Sequence, residues 1–169
     1  MGLEDDIAIL GQVALFRDFE RDQLRLLAFS SENRRFSDHE AVFEHNAPAE
    51  GGVVVLSGSA VRVHDTHDGP EIVQRAQPGS LIDEMKLIAP GRREGRCVAL
   101  GDTSVLVIRR ALFRRVLSEY PALARSVHAI WSDRLRETNT GLQGVRLRLD
   151  SIDRIVDPLS SVPGISIDD

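Results

Sequence analysis

Between residues 34 and 109 the chain is cut into apolar runs of about four to eight residues, and this punctuation restricts the fold more than any other feature. The runs are rich in Val and Ile. Clusters of Gly, Pro, Asn and Asp separate them, the pattern of short strands in an all-β sandwich or barrel. Candidate strands lie at 33–36, 41–44, 51–57, 59–64, 70–76, 80–82, 95–100 and 104–109. Ser57-Gly58 and Asp68-Gly69 read as hairpin turns, because Gly takes positive φ without a steric penalty. Asn46 suits the same left-handed role.

Helical periods flank this region. Leu3, Ile7, Leu10 and Val13 recur at spacings of three and four, and residues 20–29 resume that pattern with Leu24, Leu27 and Ala28 on one face. The spacing predicts two short helices with a kink near Asp18. After Arg109, residues 111–118 read as a short helix. Pro121 suits the first turn of a longer one that reaches about Leu149. Along it Trp131, Leu135, Thr138, Leu142, Val145 and Leu149 alternate intervals of four and three, a heptad seam. Gly141 and Gly144 weaken the seam, each by roughly 0.8–1 kcal/mol relative to Ala. A homodimer through the 121–149 helix is expected. Residues 1–149 are predicted to form one domain. Residues 150–169, with Pro158, Pro163 and Gly164, are predicted to be an extended tail.

Composition excludes several classes of function. The 169 residues suffice for one sizeable core. No apolar run approaches the roughly 20 residues of a membrane span. The acidic start argues against a secretory signal, and Cys97, the single cysteine, rules out an intramolecular disulfide. A cytoplasmic protein is expected. The net charge of −5 offers no general attraction to nucleic acid or anionic lipid. The stretch His64-Asp65-Thr66-His67-Asp68 has a metal-like composition, but it falls at a predicted hairpin tip and lacks later Glu and His partners. Cys97 reads as a packing residue. No metal site and no catalytic triad is read from the sequence, and no enzyme activity is expected.

One segment carries chemistry. Pro78-Gly79-Ser80-Leu81-Ile82-Asp83-Glu84-Met85-Lys86-Leu87-Ile88, followed by Arg92-Arg93-Glu94-Gly95, reads as a tight turn, an acid-led helical turn, a loop and paired arginines entering a strand. Amides at a helix start favour an anion. An arginine fork matches phosphate oxygens.

In this order the elements resemble the cyclic-nucleotide-binding domain, the sensor half of the catabolite activator family and of cyclic-nucleotide-gated channels. The resemblance covers about residues 10–149. Its anchors are Leu15-Phe16-Arg17-Asp18-Phe19, Val55-Leu56-Ser57-Gly58, Gln77-Pro78-Gly79, Val105 to Ile108, Leu112-Phe113 and Tyr120-Pro121. It implies a mainly β fold with flanking helices: a β-roll, of double-stranded β-helix or jelly-roll type, plus a long C-terminal helix. Family cassettes typically read Pro-Gly-x-x-Phe-Gly-Glu-x-Ala-Leu, then Arg, Ser or Thr, and Ala. Pro78, Gly79, Glu84, Leu87 and Arg93 match. The resemblance assigns Glu84 to the ribose 2′-hydroxyl and Arg93 to the cyclic phosphate, with Met85 on the cassette between them. Asp83 stands where Gly is usual, Lys86 where Ala is usual, Glu94 where Ser or Thr is usual, and Gly95 replaces the alanine. Thr138, with Asn139 beside it, falls where the activator family offers a hydroxyl to the base. Thr138 equally suits a register-setting polar position in a helix pair.

The departures weaken an anion site. At about 4–6 Å and an effective dielectric near 20, one misplaced carboxylate opposes the phosphate by roughly 3–4 kcal/mol before solvent screening. Two readings of Asp83 are compatible: an N-cap of the cassette helix, and a carboxylate that occupies the phosphate site and neutralises Arg93. Glu94 reads either as part of that repulsion or as a surface partner of Arg92 or Arg96. The expected function is a stand-alone regulatory module that senses a cyclic nucleotide or other small anion weakly. Cyclic AMP or cyclic GMP is the implied ligand, no cofactor is implied, and signalling would pass through an unidentified protein partner or a dimer interface. The alternative is a ligand-free structural adaptor. About twenty residues follow Leu149; the stretch is acidic overall and lacks the helical periods of a DNA-reading domain, so direct DNA binding is not expected.

Overall fold

The structure, a computed structural model, describes residues 2–136. Thr138, Asn139, the C-terminal part of the heptad seam and the 150–169 segment lie outside the described residues. Two compact units divide after Val127.

The first unit opens with α1 (Leu3–Leu10), a 3-10 turn (Ala14–Phe16) and α2 (Arg21–Ser30), so the predicted break near Asp18 is present. Six strands follow: β1 (Glu32–Phe36), β2 (Ala41–Phe43), β3 (Gly51–Thr66), β4 (Gly69–Ala76), β5 (Leu81–Ile82) and β6 (Arg96–Arg109). A second 3-10 turn (Glu84–Leu87) lies between β5 and β6, and α3 (Arg110–Glu119) follows β6. Helical structure resumes at Pro121 and holds to Arg136. Within the second unit Trp131 is half-buried and Leu135 is 65% exposed.

All strand pairings are antiparallel, in the order β1-β6-β3-β4, with β2 added to β6 and β5 to β3. The sheet curls into a roll without closing into a barrel. Eight strands were predicted and six form, because two predicted pairs are continuous. Ser57-Gly58 is not a hairpin turn. Gly58 has φ +75°, and the β3–β6 register shifts on both sides of Ser57, so the strand bends through a bulge and continues. Thr103 Oγ1 donates to Ser59 O at 2.8 Å across this bend. A hairpin turn and a bulge ask the same positive φ of a glycine, and the sequence signal does not separate them. Asp68-Gly69 does close a hairpin, with Thr66 opposite Gly69. Asn46 is left-handed at φ +61°.

Residues 51–56 of β3 are buried on both faces. Val53, Val55, Ala60, Ile82, Cys97, Val105 and Val107 fill the inside of the roll, with Phe36, Val42 and Phe43 partly covering it. Phe16, Phe19 and Phe113, with ring centroids 5.2–6.4 Å apart, tie the entry segment to α3. No helix of the described residues is long and apolar enough to cross a membrane.

Candidate functional site

The cassette is held in place by β3. Gly79, at φ +85°, donates its N–H to Val55 O at 3.0 Å, and Val55 N–H donates to Ser80 O at 3.1 Å. β5 then pairs with Val53 and Val54. Ile82 and Leu87, both fully buried, pin the two ends of the following turn into the core. Arg110, at the start of α3, donates through Nη1 to Ala49 O at 3.1 Å and to Lys86 O and Ala89 O at 3.3 Å.

Asp83 does not cap the cassette turn. Its φ and ψ are +56° and +45°, and its side chain makes no bond to the turn's amides. A capping residue takes extended angles; the left-handed backbone sends this side chain elsewhere. The carboxylate enters the sheet. Oδ1 accepts from Arg62 Nη1 at 2.9 Å, and Oδ2 accepts from Arg93 Nη1 at 2.8 Å. The side chains of Asp83, Arg93 and Arg62 are 4, 7 and 18% exposed. The Arg93 guanidinium lies over the Phe43 ring, 4.4 Å from its centroid. Two guanidinium groups thus share one carboxylate, and the three groups together carry a formal charge of +1. Arg62 Nε is buried without a partner.

Glu94 takes neither Arg92 nor Arg96. Its Oε1 lies 3.7 Å from Lys86 Nζ, with the Glu94 side chain 72% exposed. Lys86 reaches it by folding over Gly91, where a Cβ would meet Nζ at 2.8 Å. The Glu94 carbonyl lies 2.6 Å from His64 Nε2, which therefore carries the proton and donates. Gly95 has φ +97°, and a Cβ there would stand 2.4 Å from His64 Cδ2. The usual alanine does not fit.

Asp83, Glu84, Met85 and Glu94 border one cleft of about 300 Å³, together with Arg62 and Lys86. Met85 is 46% exposed there. Arg93 does not border that cleft, because Asp83 stands in front of it. Sequence reasoning missed Arg62. The available signal was an arginine between Val61 and Val63, on the strand face opposite those two buried valines. Cys97, across the β3–β6 ladder from Arg62, is fully buried. Burial, with the Asp83 carboxylate nearby, pushes its thiol up to about 12. Among the described residues no group of three or more His, Cys, Asp or Glu is placed to hold a metal.

An open antiparallel roll that seats an arginine behind a glycine turn and a short helical turn is the frame of a β-roll regulatory domain. The sequence profile of the cyclic nucleotide-binding domain matches residues 33–120, and the chain belongs to that family. It is 36% identical to a cyclic nucleotide-binding-like protein from Brucella abortus, over 68% of this chain and 98% of that one, with a TM-score of 0.60. It is 27% identical to the cyclic AMP receptor protein of Thermus thermophilus over 76% of its own length, and spans 60% of that relative. The N-terminal domain of a transcriptional regulator from Streptomyces coelicolor shares the fold, at 24% identity over 79% of this chain and 94% of that one, with a TM-score of 0.73.

Proposed function

We propose that the chain is a regulatory module that senses a cyclic nucleotide or another small anion only weakly and signals through a partner protein or a dimer. The observation that carries this reading is the Arg93–Asp83 pair at 2.8 Å. The arginine that would meet a cyclic phosphate already holds a carboxylate. An incoming phosphate has to displace that carboxylate or share the site with it.

Titration calorimetry with cyclic AMP and cyclic GMP tests this. Dissociation constants above about 100 μM are expected, less than roughly 5.5 kcal/mol of binding. The double variant Asp83→Gly, Glu94→Thr should bind at least about tenfold more tightly, a gain of roughly 1.4 kcal/mol. Micromolar binding by the unaltered chain would defeat the reading. No gain in the double variant would favour the second reading, a ligand-free adaptor. The two bonds by which the Asp83 carboxylate already holds Arg62 and Arg93 support that alternative.

The dimer is part of the same proposal. Leu135, on the heptad seam, is 65% exposed in the single chain. Sedimentation at tens of micromolar is expected to show a dimer through the 121–149 helix. A strict monomer there, or a dimer that survives Leu135→Glu unchanged, removes that part of it.

A further inference from the structure

Asp83 uses only one nitrogen of Arg93. Nη1 donates to it. Nε and Nη2 donate to nothing among the described residues, and neither is fully sealed from solvent. The guanidinium is shut off from the cassette cleft but borders a different cavity of about 420 Å³. Phe36, Val42, Phe43, Val53 and Val107 form its apolar walls. Arg93 also borders a hollow beside His45 and His64, but the guanidinium lies over Phe43, and Phe43 lines the apolar cavity and not that hollow.

We infer that this cavity is a second ligand site, and that it takes a monocarboxylic acid with an apolar body. The carboxylate sits on the free edge of Arg93 and the body lies among the valines and phenylalanines. The inference rests on the reading above that Asp83 keeps Arg93 from the cassette cleft. Three features support this class of ligand. The three groups of the triad sum to a formal charge of +1, the sign a carboxylate complements. Charge-assisted bonds to an arginine fork are strong in a poorly hydrated site. No hydroxyl or amide side chain lines the cavity, so it offers a sugar or a base little to recognise, whereas pockets of this size with mostly apolar walls and a few charged groups suit small amphipathic molecules. The other rim charges do not alter this. Arg34 is held by Glu32 at 2.8 and 3.0 Å, Glu50 lies 3.8 Å from Arg109, and Glu44 is exposed, so all are screened by water.

Calorimetry and thermal melts of the full chain with octanoate test this, with octanol and cyclic AMP as parallel arms. Octanoate should bind saturably and raise the melting temperature; octanol, with the same chain and no charge, should do neither at equal concentration. Arg93→Gln removes the cation and Val42→Trp fills the cavity, and each should weaken octanoate at least about tenfold. Val42 is half-buried, so Val42→Trp decides the matter if Arg93→Gln fails to fold. Equal binding of octanoate and octanol, no octanoate binding at millimolar concentration, or unchanged affinity in Val42→Trp would each overturn the inference. The cyclic AMP arm separates the two proposals. Micromolar cyclic AMP that leaves octanoate binding intact defeats the weak-nucleotide reading alone. Octanoate that competes with cyclic AMP while ignoring Val42→Trp places the acid in the cassette cleft and defeats the second site.

Discussion

Gly51→Ala is expected to abolish the cooperative fold. A Cβ at residue 51 would stand 1.9 Å from Ile108 O, 2.8 Å from Ile108 C and 2.9 Å from Arg109 Cα. All three are main-chain atoms of β6, so no rotamer change relieves the clash. The strands would have to separate where Gly51 pairs with Arg109 and where Arg110 N–H donates to Glu50 O at 2.7 Å. That junction holds both the central strand pair and the start of α3. A loss above about 4 kcal/mol is expected, near the total stability of a small domain. Circular-dichroism melts and urea titration check it, with Gly69→Ala as the contrast. Gly69 has φ +115° but nothing within 4 Å of a Cβ, so only a backbone penalty of about 1–3 kcal/mol applies. Similar melting of Gly51→Ala and the unaltered chain would show that β3 and β6 have slack that the geometry denies.

Asp83→Ala is expected to destabilise the unliganded protein by about 3–5 kcal/mol. Removing one partner of a buried ion pair leaves uncompensated charge behind. Here it leaves two guanidinium groups facing each other, their side chains 7 and 18% exposed. Asp83→Gly should recover about 1–2 kcal/mol of that loss, because the residue is left-handed and glycine accepts that conformation freely. Urea unfolding of the two variants beside the unaltered chain measures both effects. A loss below about 1 kcal/mol in Asp83→Ala would mean that water reaches both arginines and the triad is not a buried unit. The same substitution thus has opposite effects on the two properties. It removes the internal anion that stabilises the roll and vacates the place an external phosphate would fill.

The fold was legible because its signals are local and repeated. Val/Ile runs, the Asp68-Gly69 turn, the break near Asp18 and left-handed Asn46 each depend on residues close in sequence. The count of strands was not legible, since Gly58 supplies positive φ to a bend within one strand as readily as to a reversal between two. At the site, the pairing of Asp83 with Arg93 was within reach, because both lie on the cassette. The role of Arg62 was not. It depends on β3 passing beneath the cassette, a contact 21 residues away in sequence. The N-cap reading of Asp83 failed for a related reason. Propensity favours Asp as a cap in the extended conformation, and the left-handed backbone with two arginines in reach overrides it. Glu94 went to Lys86 rather than to its arginine neighbours, because Gly91 lets the lysine fold back over the loop. Thr138 and Asn139 lie outside the described residues.

The placement of Cys97 gives the chain an internal clock. It is the only thiol in the sequence, it lies across the ladder from Arg62, and burial pushes its pKa up to about 12. A thiol reagent needs both access and the thiolate. Neither exists while the roll is shut over the triad. At neutral pH each labelling event therefore marks an excursion in which β3 and β6 part and solvent reaches Cys97. The rate of dye release counts those openings without any engineered probe. A ligand that fills the roll should slow the count; an anion that only decorates its surface should leave it unchanged.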